Sequence, residues 1–166
     1  MLFNVSGLLR EPIGAARHYA LEPAPPLHAG EVELVRLPGG VLVRCHATVF
    51  LDAECSRCVT PFSYREEIAF DEVFVQQVDV STGRQLDAPA EPDNFLISTS
   101  HTIDITEAVR QYTEAAAEMQ PLCRADCPGL CPECGQDLSV AACTCDRSPI
   151  DQRWAALARM KLTNGY

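Results

Sequence analysis

Nine cysteines stand in this 166-residue chain, and eight of them are grouped. Six fall between Cys123 and Cys145, and Cys55-Ser56-Arg57-Cys58 forms a separate pair. Cys131-Pro132-Glu133-Cys134-Gly135 reads as a zinc knuckle: two cysteines three apart turn both thiolates toward one ion, and the glycine permits the tight turn that follows. Cys143-Thr144-Cys145 supplies a second donor pair, so a tetrahedral zinc ion finds four soft ligands in Cys131, Cys134, Cys143 and Cys145. Buried cysteine that packs as a small hydrophobe is the competing account, and six cysteines among Pro, Gly and Asp argue against it. Cys55, Cys58, Cys123 and Cys127 could form a second site across the fold. The alternatives are one site that draws its pairs differently, or reduced thiols at Cys55 and Cys58. One zinc ion is the expectation. Cys45 is expected in the core.

Two enzymatic uses of the cysteines can be weighed. Cys127-x3-Cys131-x2-Cys134 matches the spacing of radical SAM iron–sulfur enzymes, but such a motif belongs early in a large (β/α) barrel and here follows a β-rich half. Cys55 and Cys58 could serve a thiol-disulfide oxidoreductase, with Arg57 stabilising a thiolate. That motif normally opens a helix after a strand, whereas Cys58-Val59-Thr60-Pro61 leads into another strand. No Ser-His-Asp order, P-loop or GxGxxG stands in the chain, and the four histidines (18, 28, 46 and 101) are dispersed.

The elements that must position these residues read as β first and helical later. Residues 2–9 make a first strand, and residues 11–30, rich in Pro, Ala and Gly, a loop. Residues 31–37 and 41–52 alternate about a Pro38-Gly39-Gly40 turn, with Val41, Val43, Cys45, Ala47, Val49 and Leu51 on one face. Residues 62–70 repeat the alternation; a change of parity at Asp71-Glu72 before Val73 and Val75 suggests a bulge. Short links between consecutive strands favour an antiparallel meander, and residues 76–100 read mostly as loop. A helix follows, with Asp104 as cap, Glu107 at capping-box spacing, a stripe of Ile105, Val109, Tyr112, Ala116 and Met119, and Pro121 at its end. Ser148-Pro149 opens a second helix carrying Ile150, Trp154, Leu157 and Met160.

Length and composition set the frame. The chain is one domain long, and 47% hydrophobic with 22% charged residues is an ordinary globular mix. No apolar run reaches the length of a membrane span. The N-terminal MLFNVSGLLREP lacks the basic start of a signal peptide, so a cytoplasmic thiol protein is expected rather than a secreted disulfide scaffold. The net charge of −10 argues against a bare phosphate-backbone binder. It is unevenly spread: zero over residues 1–50, −7 over 51–100, −6 over 101–146 and +3 over 147–166. The acidic middle provides solubility or a surface for a basic partner such as a ribosomal protein.

Taken in order, several motifs resemble one family. Cys55-Ser56-Arg57-Cys58 is similar to the CxRC signature of the YceD family, the large ribosomal RNA subunit accumulation proteins. Asp104-Ile105-Thr106-Glu107 resembles its acidic segment. Pro121-Leu122-Cys123 and Cys127-Pro128-Gly129-Leu130-Cys131-Pro132-Glu133-Cys134-Gly135 resemble its P-x-C…C-x-G-L-C-x-x-C-G run. Cys143-Thr144-Cys145 resembles its closing C-x-C, and Asp151-Gln152-Arg153-Trp154-Ala155-Ala156-Leu157 its D-x-R-W-A-x-L tail. The resemblance spans roughly residues 45–162 and implies a cytoplasmic protein needed for accumulation or processing of 23S ribosomal RNA, with no catalytic residue. Members that keep the CxRC pair without the C-terminal cysteines imply that the Cys131 set is an optional structural zinc site.

The expected architecture is therefore α+β: an antiparallel sheet or partial barrel in a β-rich part (1–100), then a helical and Cys-rich part (101–166) with a zinc-stapled C-terminal segment, in a single domain. The expected function is non-catalytic ribosome biogenesis through a ribosomal protein or large-subunit assembly particle. Direct contact with rRNA is a further option, and no membrane is involved. The rival class is the thiol-disulfide oxidoreductase.

Overall fold

The computed structural model describes residues 1–86, 94–145 and 153. Its elements run β1 (Leu2–Asn4), a 3-10 turn at Leu8–Arg10, β2 (Ala16–Leu21), β3 (Leu27–Leu37), β4 (Gly40–Glu54), β5 (Pro61–Gln76), β6 (Phe95–Ile97), β7 (Thr102–Asp104) and α1 (Thr106–Ala116). Sheet dominates, with one α-helix among the described residues, so the α+β expectation holds only for its sheet and first helix. The helix expected from Ser148 through Met160 lies outside the described residues, apart from Arg153.

The chain divides into two compact units. The first comprises Met1–Ala53 and Pro61–Met119; the second comprises Glu54–Thr60 and the chain from Gln120 onward. In the first unit a five-stranded sheet has the order β2-β3-β4-β5-β6, and β1 pairs with β7 in a separate two-stranded sheet. β2 with β3 and β3 with β4 are antiparallel. Cross-strand contacts from Arg44 to Asp71 and from Asp52 to Ser63 run in opposite chain senses, which makes β4 and β5 antiparallel too. The meander ends there: β6 pairs parallel with β5, Phe74 opposite Phe95. Short links were the premise of an all-antiparallel sheet. The connection from Gln76 to Phe95 is long enough to bring the chain back in the same direction.

Alternation places the core. Val41, Val43, Cys45 and Val49 on β4 are fully buried, and Val32 and Leu34 on β3 join them. Burial pushes the Cys45 thiol up to about 11, as a thiolate in apolar surroundings requires. β5 keeps one parity from end to end, so it has no bulge: Ile68, Phe70 and Phe74 are buried, and Val73 is exposed. The apparent change of parity came from Glu72, a carboxylate at an inward position. It accepts a hydrogen bond from the Tyr112 hydroxyl at 2.7 Å, and the Tyr112 ring stacks on Phe70 at 4.6 Å.

Three local expectations need correction. The first strand is three residues, not eight, because the chain turns at Ser6-Gly7 and buries Leu8 and Leu9 from a 3-10 turn. Residues 11–30 contain β2 and the start of β3, strands whose exposed outer positions (Ala16, His18, Ala20) hid the alternation. Helix α1 begins one residue later than a cap at Asp104 implies. Asp104 instead accepts from the N-terminal ammonium at 3.0 Å and from the Thr106 amide and hydroxyl at 3.0 and 2.6 Å. Glu107 is turned to Arg110, and the buried stripe is Ala108, Val109 and Thr113. The helix ends at Ala116, leaving Met119 fully exposed.

Candidate metal centre

The described residues of the second unit have little regular structure, and the cysteines organise them. Cys55-Ser56-Arg57-Cys58 forms the link between β4 and β5. The Cys55 amide donates to Thr60 O at 3.0 Å, and the Val59 amide donates back to Cys55 O at 2.9 Å. Cys131 to Gln136 repeats this pattern. The Cys131 amide donates to Gln136 O at 2.8 Å, and the Gly135 amide to Cys131 O at 2.9 Å. The residue after the second cysteine is left-handed in both, φ +72 at Gly135 and φ +61 at Val59. The chain therefore holds two knuckles of one design, with a valine in the second-to-last place of the first. The sequence concealed this, because glycine is the usual marker of that conformation and a β-branched residue seldom adopts it. The matching spacing of 55–60 and 131–136 was the available signal.

Each knuckle meets a second pair of thiols. Cys55, Cys58, Cys123 and Cys127 bring their sulfurs within 4.8 Å of one another, and so do Cys131, Cys134, Cys143 and Cys145. The Cys55–Cys127 and Cys58–Cys123 separations are both 3.7 Å. A tetrahedral zinc ion with Zn–S bonds of about 2.3 Å puts its sulfurs about 3.8 Å apart, whereas a disulfide needs about 2.05 Å. The donor chemistry and the spacing both fit zinc. These are the two sets named from the sequence, and the geometry gives neither priority. Cys55, Cys58 and Cys127 are buried; in the other set only Cys131 is, and Cys134 is exposed. Among the described residues no histidine or carboxylate joins either set.

Electrostatics follows from four thiols in so small a volume. Amide hydrogen bonds, first from Cys123 and then from Arg57 and Cys58, hold the Cys55 thiol down at about 6. The Cys131 thiol is lowered in the same way by the amides of Cys134 and Glu133. The partners move oppositely. Loss of hydration pushes Cys123 up to about 12 and raises Cys127; the hydrogen bond that the Cys145 thiol donates to the Cys134 sulfur pushes Cys145 up to about 12. Each set thus has a lowered thiol at the head of its knuckle and raised thiols facing it, because like charges a few ångströms apart repel. A divalent cation removes that conflict, and its binding expels protons.

Hydrogen bonds hold the segments in place. The Ser56 amide and hydroxyl donate to Pro121 O at 2.9 and 3.1 Å. Arg57 reaches the other ligand loop, donating from a guanidinium nitrogen to Cys127 O at 3.0 Å. Its own carbonyl accepts from the Leu130 amide at 3.0 Å. Gly129, at φ +74, lies against that carbonyl; a Cβ there would stand 3.0 Å from it. Beyond, the Leu138 amide donates to Gly129 O, and Asp137 caps the next turn through the Ser139 amide and hydroxyl at 2.8 and 2.6 Å.

Other candidate residues disperse. Cys127 belongs to a different set from Cys131 and Cys134, so the radical SAM spacing has no common centre. Glu67 and Asp71 are on the exposed face of β5, and Glu66 and Glu72 on the other, so the acidic middle is not one patch. Arg44 lies 3.2 Å from Glu33 and 3.4 Å from Asp71, which offsets part of the outer charge. Of the basic tail, Arg147, Arg159 and Lys161 lie outside the described residues. Among the described residues no helix is long and apolar enough to cross a membrane.

Comparisons with known proteins point to the same family. Uncharacterized proteins of Mycobacterium tuberculosis and Mycobacterium leprae are 34% and 31% identical over 121 and 120 residues, covering 73% and 72% of this chain. These alignments take in 56% and 52% of the relatives, so the chain spans about half the length of the curated relatives it matches. No solved structure matches it. A family model described as large ribosomal RNA subunit accumulation protein YceD matches residues 43–161, which include both knuckles and all eight clustered cysteines. The chain belongs to the YceD family.

Proposed function

We propose that this protein supports accumulation of 23S rRNA or assembly of the large ribosomal subunit, as a non-catalytic binding factor in the cytoplasm. The observation that carries the reading is the family match across residues 43–161, under a description that names large-subunit rRNA accumulation. The geometry supplies a physical basis for binding without catalysis. A metal ion held by four thiolates has no coordination position left for substrate or water, so the ions would serve to shape a surface. Zinc at both cysteine sets would fix the knuckles and the 120–145 segment as a rigid module. The partner we infer is a ribosomal protein or a large-subunit assembly particle, since the net charge of −10 disfavours naked RNA. Direct rRNA contact would draw on residues 147–166, which carry a net charge of +3.

One observation favours a second reading. The Cys55 thiol, held at about 6, has the low value a nucleophilic cysteine needs for thiol-disulfide exchange. The lowering of Cys131 by the same kind of amide contacts makes this a property of the knuckle, which argues for metal. Deleting the gene and comparing large- with small-subunit rRNA tests the first reading: large-subunit rRNA is expected to fall, with recovery on re-expression. An unchanged ratio would refute it. Metal analysis with thiol titration separates the two readings, bound zinc with protected thiols supporting the first and a reversible Cys55–Cys58 disulfide the second.

A further inference from the structure

The two cysteine sets are separate in their ligands but not in their framework. Cys127 closes the first and Cys131 opens the second, with Pro128-Gly129-Leu130 between them. That bridge is held from one side by a single residue. Arg57 donates its guanidinium to Cys127 O and accepts the Leu130 amide on its own carbonyl, 3.0 Å in each case. Gly129 fits between because it has no side chain to meet that carbonyl. Arg57 is itself inside the first knuckle, between Cys55 and Cys58.

We propose that Arg57 is a positioning residue that couples the two metal sites, so that an ion bound at one raises the affinity of the other. The inference rests on reading both sets as metal sites. A metal at Cys55, Cys58, Cys123 and Cys127 fixes the knuckle that carries Arg57. Arg57 then fixes Leu130 and the approach to Cys131, so the second set loses less freedom when it closes. The same contacts act in reverse, as linkage requires. The arginine suits this task because its planar fork stays charged and reaches a carbonyl that a shorter or neutral side chain would not.

The test compares three cobalt(II) binding constants of the full chain, each measured against a competing chelator by thiolate charge-transfer absorbance. Cys143→Ser/Cys145→Ser gives the first site alone, and Cys55→Ser/Cys58→Ser gives the second alone. If the sites are coupled, the overall two-ion constant of the wild type exceeds the product of the single-site constants by at least about fivefold, the low end of measured couplings. Equality would overturn the coupling. Arg57→Ala keeps all eight donors; two ions should still bind, with the excess reduced toward one, and Arg57→Lys should recover only part of it. An excess unaffected by Arg57→Ala would overturn the role given to the arginine. A wild-type stoichiometry of one cobalt would overturn the underlying two-site reading instead, while two cobalts with no excess would overturn the coupling alone.

Discussion

Exchanging the residues that follow the second cysteine of each knuckle tests whether the left-handed turn is what closes them. Gly135 has φ +72, and a Cβ built there meets nothing within 4 Å. The cost of Gly135→Val is therefore conformational rather than steric against neighbours. A β-branched residue in this region costs about 1–3 kcal/mol, and the smaller freedom of valine in the unfolded chain returns up to about 1 kcal/mol. At mid-range, a cost of about 2 kcal/mol less a return of about 0.5–1 leaves about 1–1.5 kcal/mol, a roughly 5–13-fold loss of affinity at the Cys131 set. The mirror substitution, Val59→Gly, should relieve strain of the same kind at φ +61. Val59 is 56% exposed, so less than half of its roughly 1.5–3 kcal/mol burial value is at stake. Glycine's greater freedom in the unfolded chain takes back up to about 1 kcal/mol, so the change should leave the first site within about fivefold of its wild-type affinity. Cobalt titration of both variants against a competing chelator reads the two effects. Wild-type affinity in Gly135→Val together with binding weakened beyond that range in Val59→Gly would refute the view that the turn, rather than side-chain packing, closes the knuckles.

Chelation of the wild-type protein should accelerate hydrogen exchange at the Leu130 and Leu138 amides by tenfold or more while the amides of β3 and β4 keep their protection; equal protection with and without metal would count against both sites. Cys45 gives a pH test away from any ligand. Its thiol is raised from 9.0 to about 11 by burial, so its contribution to stability is complete below about 9 and disappears as pH rises through about 11. Cys45→Val should move the alkaline unfolding midpoint upward, and an unmoved midpoint would show that other groups set it. Tyr112→Phe removes the hydroxyl that serves Glu72 and should lower stability by about 1 kcal/mol in urea unfolding, whereas a loss below about 0.3 kcal/mol would mean that water replaces the bond.

Alternation made β4 legible to the residue, because its inner positions are apolar without exception from Val41 to Val49. It failed at β5 where a carboxylate occupies an inner position, since the Tyr112 hydroxyl that satisfies Glu72 comes from a helix forty residues later. β2 escaped for a different reason: half of its surface is outward alanine and histidine, and pairing rather than composition makes it a strand. The parallel β6 was invisible because strand direction depends on where a long connection returns. Among the cysteines, both sets of four were nameable from spacing. Their equal geometry was not, because one knuckle signals itself with glycine and the other is written with valine.

The second unit is assembled from two stretches of chain that leave the ribosome at different times. Cys58 precedes its near neighbour Cys123 by 65 residues, and Cys55 precedes Cys127 by 72. At synthesis rates of about 5–20 residues per second, the first knuckle waits roughly 3–15 s for its partners. During that interval a thiol pair with half a coordination shell is open to any metal or oxidant it meets. The later set needs no such wait, because its four cysteines lie within fifteen residues. A shortage of zinc or an oxidative pulse would therefore strike newly made chains at Cys55 and Cys58 first, although those two thiols are buried in the finished protein.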